Sequence, residues 1–172
     1  NERLYNAAYK WFGKIRGGLA TTTIMACAGF AAICGSNTAT AATMTVVALP
    51  EMKKYKYDPI LTSGSIAAGS TLGVVIPPSV VLVVYGIYTG QSIGKLFFGS
   101  FVPGIILAFI MILTVYAMCV IHPAWGPKGP NFTLWDKLKA LPDALDMVVL
   151  FCIIMFSLYA GLFTPSEAGA AG

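Results

Sequence analysis

Apolar residues run along this chain in long blocks, and the polar residues gather between the blocks instead of alternating with them. Uncharged stretches cover 17–50, 59–94, 96–121 and 147–166. A helix needs about 20 apolar residues to cross a hydrocarbon core about 30 Å thick, and each stretch meets or exceeds that length. Period-two alternation is missing, and the runs are far longer than the ~11 residues of a barrel strand. The pattern predicts an all-α, polytopic membrane protein.

Two of the blocks are interrupted. In the first, Cys34-Gly35-Ser36-Asn37-Thr38-Ala39-Thr40 is small, polar and helix-weakening. A single helix over 17–50 would hold roughly 34 residues and measure about 51 Å, too long for one crossing. Lys10, Lys14 and Arg16 precede this block, and Lys53, Lys54 and Lys56 follow it. Positive flanks mark the cytoplasmic side. A re-entrant hairpin satisfies length and charge together, with limbs at 19–33 and 41–49 and its tip at 35–40. Pro50 and the charged connector 51–58 are expected to end it. Small residues such as Ala26, Ala28, Gly29, Ala41 and Ala42 suit limbs packed inside a helical bundle.

The second interruption is Gly73-Val74-Val75-Ile76-Pro77-Pro78-Ser79. Asp58-Pro59 is a cap followed by a first-turn proline, so a helix should start there and run to about Gly73. Pro77 and Pro78 remove two amide donors, and proline disfavours helix at Ile76 before it. A second half-helix should cover 78–88, making 59–88 one broken transmembrane helix. The connector 89–95 lies on the far side, and a continuous helix over 96–121 returns.

The rest of the chain follows from the same signals. Residues 1–16 read as the end of an earlier helix. The Pro- and Gly-rich stretch 122–132 is a loop. Thr133 can cap a short amphipathic helix at 133–141, with Leu134, Leu138 and Leu141 on one face. A further span covers 144–161, and Thr164-Pro165-Ser166-Glu167 opens another helix at 164–172 with a capping-box pattern. The chain starts at Asn1 with no initiator Met and stops in a new apolar segment. It is expected to be the interior of a longer protein.

Composition sharpens the class. The chain is 57% hydrophobic and 10% charged, with a mean hydropathy of +0.77, against about 25% charged residues in soluble domains. The net charge of +4 sits in short connectors and carries no nucleic-acid signal. Cys27, Cys34, Cys119 and Cys152 show neither metal nor redox spacing and read as buried free thiols. An intramembrane protease would need paired acids, a Ser–His pair or zinc ligands, and the uncharged runs hold no Asp or Glu. His122 stands alone.

The candidate chemistry therefore lies in the two breaks. Membrane transporters use unwound carbonyls to hold cations, and half-helix N-termini to face anionic groups. The sodium-binding candidates are Ser36, Asn37, Thr38, Gly73, Val75, Ile76 and Ser79. The substrate-facing candidates are Asn37, Thr38, Thr40, Pro77 and Pro78. The expectation is that the breaks face each other, hold Na⁺ between them, and present Asn37 and Thr38 to a carboxylate-bearing solute. No cofactor is called for beyond the coupling ion. The bland alternative is a proline kink, with Ser and Thr bonded to their own helices.

Strings across the chain carry a resemblance. They include Gly35-Ser36-Asn37-Thr38-Ala39-Thr40-Ala41-Ala42-Thr43, Ala48-Leu49-Pro50-Glu51-Met52 and Tyr57-Asp58-Pro59. The run from Gly64 to Ser79, Gln91-Ser92-Ile93-Gly94-Lys95-Leu96 and the closing run from Gly161 to Ala168 also belong to it. Together they resemble the large membrane subunit of tripartite ATP-independent periplasmic (TRAP) transporters, the DctM-like permeases, in its N-terminal half. That resemblance implies sodium-driven uptake of organic acids, such as C4-dicarboxylates or sialic acid, across the bacterial inner membrane. It implies an elevator-type fold of inverted repeats, in which 17–50 and 59–88 belong to the transport domain. It also implies two partners, a small four-helix DctQ-like membrane subunit and a DctP-like periplasmic solute-binding protein. The Ser36-Asn37-Thr38 triplet is similar as well to a signature of single-component divalent-anion/sodium symporters. A non-transporting structural membrane subunit is the other alternative.

Overall fold

The computed structural model describes residues 9–12, 15–127, 149, 152, 153 and 156. The described residues form helices and turns, without a strand among them. Residues 9–12 are helical, and within 15–127 six helices follow in order: α1 (Gly18–Cys34), α2 (Asn37–Lys54), α3 (Pro59–Ser70), α4 (Leu72–Val75), α5 (Val80–Thr89) and α6 (Ile93–Ile121). Among the described residues two stretches are long and apolar enough to cross a membrane, Pro59–Thr89 and Ile93–Ile121. Gly18–Cys34 is apolar but shorter. The expected elements at 133–141 and 164–172 fall outside the described residues. Of 144–161 only 149, 152, 153 and 156 are described, each helical.

The first helical pair is a hairpin. The C-terminal end of α1 and the N-terminal end of α2 are joined by Gly35 and Ser36 alone. At the opposite end the Thr23 hydroxyl of α1 lies 3.7 Å from the Met52 sulfur of α2, so the helices are antiparallel. The tip is tighter than expected: α2 starts at Asn37 because Ser36, extended at φ −129° and ψ 122°, already serves as its cap.

The far end also departs from the sequence expectation. Proline was expected to close the hairpin at Pro50, yet α2 continues through Pro50 to Lys54. A proline inside a helix costs about 3 kcal/mol. Burial offsets it here: Thr40, Met44, Ala48 and Met52 recur every fourth residue and are all buried on one face. The stripe spans both sides of the proline, so ending the helix there would expose Met52.

The second stretch is broken twice. Asp58 accepts from the Ile60 amide at 2.8 Å and caps α3, with Pro59 in the first turn as the sequence predicts. At Thr71 the chain tightens into i→i+3 bonding, its amide donating to Ala68 O at 3.1 Å. The one-turn α4 then ends at Ile76, which is extended at φ −77° and ψ 122°. The backbone stays extended at Ser79, and α5 resumes at Val80. Helix α6 begins at Ile93, three residues before the expected start. Gly90 turns left-handed at φ 64° and compresses the connector to 90–92.

α1 lies at the centre of the assembly, with Leu19, Ala20, Ile24, Ala26, Cys27 and Ala31 buried. α6 shields one side and turns Ile105, Ile106, Phe109, Ile110 and Leu113 outward. Large apolar side chains so exposed belong against lipid or other membrane helices. Of the four thiols, Cys27 and Cys119 are buried, Cys34 is half-buried and Cys152 is exposed, so only the first two are the buried thiols expected of all four.

Tyr57 ties one end together. Its hydroxyl accepts from the Leu19 amide at 3.2 Å and donates to Pro127 O at 3.0 Å. That satisfies one of the amides a helix start leaves without an internal acceptor. Burial pushes the Tyr57 hydroxyl up to about 12, so it remains a proton donor at neutral pH.

Candidate functional site

Gly35 makes the hairpin break possible. Its φ of 59° is left-handed, a conformation that L side chains avoid. A Cβ there would collide with the Pro78 carbonyl oxygen and come 3.3 Å from Ser79 Cα. Beyond it, Ser36 acts as a hub. Its carbonyl accepts from the Thr40 amide at 3.0 Å and the Thr40 hydroxyl at 2.7 Å. Its hydroxyl accepts from the Ala39 amide at 3.5 Å and meets the Thr38 hydroxyl at 3.2 Å.

The proline break works by subtraction. In a continuous helix the amides of residues 77 and 78 would close on the carbonyls of Gly73 and Val74. Pro77 and Pro78 have no amide proton to give. Ser79 then occupies the cap position of α5 without capping it. Its hydroxyl is buried, at 1% exposure for the residue, and makes no hydrogen bond. Several other hydroxyls on these helices are spent on their own backbone: Thr22 on Gly18 O at 2.8 Å, Thr45 on Ala41 O at 2.7 Å and Thr62 on Asp58 O at 2.8 Å. Thr21, inside α1, is also buried without a hydrogen bond, but it lies about four turns of helix from the hairpin tip, whereas Ser79 lies in a break.

The two breaks abut. The Val80 amide, at the start of α5, donates to the Gly35 carbonyl at 3.2 Å. Gly73 sits against the hairpin tip so closely that a Cβ would lie 3.0 Å from Ser36 O and 3.1 Å from Asn37 N. The Ser70 hydroxyl lies 3.0 Å from Asn37 Oδ1. Ile76 packs on Gly104, so α6 backs the crossing.

The sequence candidates are therefore neighbours, in unlike settings. Ser36 and Asn37 are half-buried and Thr38 is exposed beside them. Thr40 is buried and its hydroxyl is turned back to Ser36 O, away from any solute. Gly73, Ile76, Pro77 and Ser79 are buried, and Val75 and Pro78 half-buried. Sequence reasoning missed Ser70 and the Val74 carbonyl. Ser70 lies three residues before Gly73, which puts both on one helical face, and that spacing was the available signal. Among the described residues no His, Cys, Asp or Glu cluster could hold a metal. The oxygens at the crossing come from hydroxyls, one amide and backbone carbonyls, a neutral donor set that suits a hard monovalent cation.

Fold and site together define an all-α membrane protein in which two broken helical elements meet back to back. The chain belongs to the family described as "Tripartite ATP-independent periplasmic transporter, DctM component", whose match covers residues 1–172. It is 38% identical to the C4-dicarboxylate TRAP transporter large permease protein DctM of Pseudomonas aeruginosa, over 98% of this chain and 39% of that protein. It is 34% identical to the isethionate TRAP transporter permease protein DctMQ of Oleidesulfovibrio alaskensis, over 99% of this chain and 27% of that protein. It is 35% identical to the ectoine TRAP transporter large permease protein TeaC of Halomonas elongata, over 98% and 39% respectively. The chain thus spans 39% or less of these curated relatives. They are permease subunits of transporters, not enzymes.

Proposed function

We infer that this chain is part of the large permease subunit of a tripartite, sodium-driven uptake system for organic acids, and that the crossing is half of its binding site. The observation that carries the reading is the Ser79 hydroxyl, buried and without a hydrogen bond where two helix breaks abut. A buried hydroxyl left unpaired costs roughly 1–3 kcal/mol. An ion that takes it as a ligand removes that cost. The Gly73 and Val74 carbonyls, deprived of their helical donors, supply further oxygens of the same kind.

The other face of the crossing suits an anion. α2 starts at Asn37, and the first amides of a helix have no internal acceptor. Together with the helix dipole they favour a carboxylate or sulfonate beside the exposed Thr38. The relatives' named solutes, C4-dicarboxylate, isethionate and ectoine, all carry such a group. C4-dicarboxylates and sialic-acid-like carboxylates are the solutes assigned to this chain. Membership of the family supports the two partners, a small membrane subunit and a periplasmic binding protein. The DctMQ relative supports a small subunit either separate or fused. The setting is the bacterial inner membrane, where the hairpin enters and leaves on the cytoplasmic side and travels with the broken helix as one elevator body.

The test is uptake by the full-length permease, reconstituted with its small subunit and binding protein in vesicles. Replacing Asn37 and Thr38 together by Ala should abolish uptake driven by a sodium gradient. Wild-type rates in that double variant reject the assignment of the site.

A further inference from the structure

Ser70, the last residue of α3, is buried at the crossing. Its hydroxyl lies 2.8 Å from Ala67 O and 3.0 Å from Asn37 Oδ1. A serine hydroxyl carries one proton, and here two carbonyl oxygens compete for it. The nearer is Ala67 O, an i−3 bond of the kind Thr71 makes to Ala68 O at 2.7 Å. With the proton on Ala67, Ser70 Oγ offers Asn37 a lone pair, and a carbonyl oxygen facing it is repelled. Half a turn of the amide resolves the conflict. Oδ1 and Nδ2 are nearly equal in size, so the exchange needs no other movement. With the amide so turned, Nδ2–H can donate to Ser70 Oγ while the Ser70 proton stays on Ala67 O, and Oδ1 faces away from Ser70.

We propose that Ser70 is a positioning residue: bonded to Ala67, its oxygen holds the Asn37 amide group and aims Asn37 Oδ1 at the coupling cation. This rests on the sodium reading above and adds the residue that orients one of its ligands. Ser70 touches neither the ion nor the solute. Its role is to keep the amide from presenting its NH₂ group, which would repel a cation.

The test is a sodium titration of uptake by the full-length permease with both partners, alongside sodium-dependent thermal stabilisation of the purified membrane complex. In Ser70→Ala the amide loses its anchor, and the sodium concentration for half-maximal uptake should rise about tenfold, the equivalent of one hydrogen bond. The rate at saturating sodium should stay near wild type. Ser70→Thr keeps a hydroxyl able to bond back to the helix and should restore the wild-type titration. Ser65→Ala is the control: Ser65 is buried on the same helix and bonds only to the Leu61 and Thr62 carbonyls, so sodium half-saturation should not move. Ser70→Cys, whose thiol is a poor acceptor, serves if Ser70→Ala fails to accumulate, and should shift the titration the same way. An unchanged titration in Ser70→Ala or Ser70→Cys overturns the role of Ser70 while the sodium reading stands. Wild-type uptake and stability indifferent to sodium overturn the sodium reading itself.

Discussion

Gly35 and Ser36 interrupt a helix with two residues, and 76–79 interrupt one with four. The two breaks are made by different physics. At the hairpin the chain reverses because Gly35 takes a left-handed φ of 59°, and Ser36 then caps the next helix. Its polar groups are engaged locally, with the Ser36 carbonyl and hydroxyl both in use. At the proline break the chain is opened by withholding donors, and carbonyls and the Ser79 hydroxyl are left over. One break is closed by conformation and offers helix amides. The other is open in hydrogen bonding and offers oxygens. A change at Gly35 or Ser36, which make the first break, should therefore act mainly through the fold, and a change at Pro77, Pro78 or Ser79 through the ligand.

Gly35→Val is the harshest way to break that contrast. A left-handed L residue costs about 1–2 kcal/mol, and its Cβ would also strike the Pro78 carbonyl, which is backbone and cannot rotate aside. The full-length permease should unfold at a clearly lower temperature and lose uptake at any sodium concentration. Thermal unfolding of the purified complex measures the first, vesicle uptake the second. A Gly35→Val complex as stable as wild type would mean the hairpin is not held by conformation.

Replacing Pro77 and Pro78 together by Ala probes the opposite side. Both amides return and can close on the Gly73 and Val74 carbonyls, adding about 1 kcal/mol per hydrogen bond. Melting temperature should hold or rise while sodium-dependent uptake disappears. If uptake survives with its sodium dependence intact, the freed carbonyls are not ligands, and the break is a kink.

How much of this could be read in the sequence follows from the same contrast. Both breaks were legible, because Gly-Ser-Asn and Pro-Pro act on the backbone through local sterics and missing donors. Their limits were not. α2 starts four residues earlier than its expected limb and runs five residues past it, to Lys54, because a stripe from Thr40 to Met52 is buried on both sides of Pro50. That burial is tertiary and outweighs a local breaker. The tie between Ser70 and Asn37 joins residues 33 apart, and no local pattern encodes such a pair. Tyr57 is similar: it looked like connector, yet its hydroxyl joins Leu19 to Pro127. Thr40 shows the converse, since a hydroxyl two residues beyond the polar triplet reads as a ligand until its helix turns it back on Ser36.

The two serines give the finest comparison, because their backbones match. Ser36 has φ −129° and Ser79 has φ −127°, each extended and each just before a helix. Only Ser36 caps, and weakly, through a 3.5 Å contact from the Ala39 amide. Ser36→Ala should lower stability by about 0.5 kcal/mol, the low end for a lost cap. Ser79→Ala removes a buried hydroxyl that pairs with nothing in the protein, so stability measured without sodium should hold or rise slightly. Sodium should then stabilise the Ser79→Ala complex less than wild type, and half-maximal uptake should need several-fold more sodium, as one of several oxygen ligands is lost. Thermal unfolding with and without sodium reads both quantities on one sample. Should Ser79→Ala instead be destabilised in the absence of sodium by as much as Ser36→Ala, the hydroxyl has a structural bond, and the two breaks are alike after all.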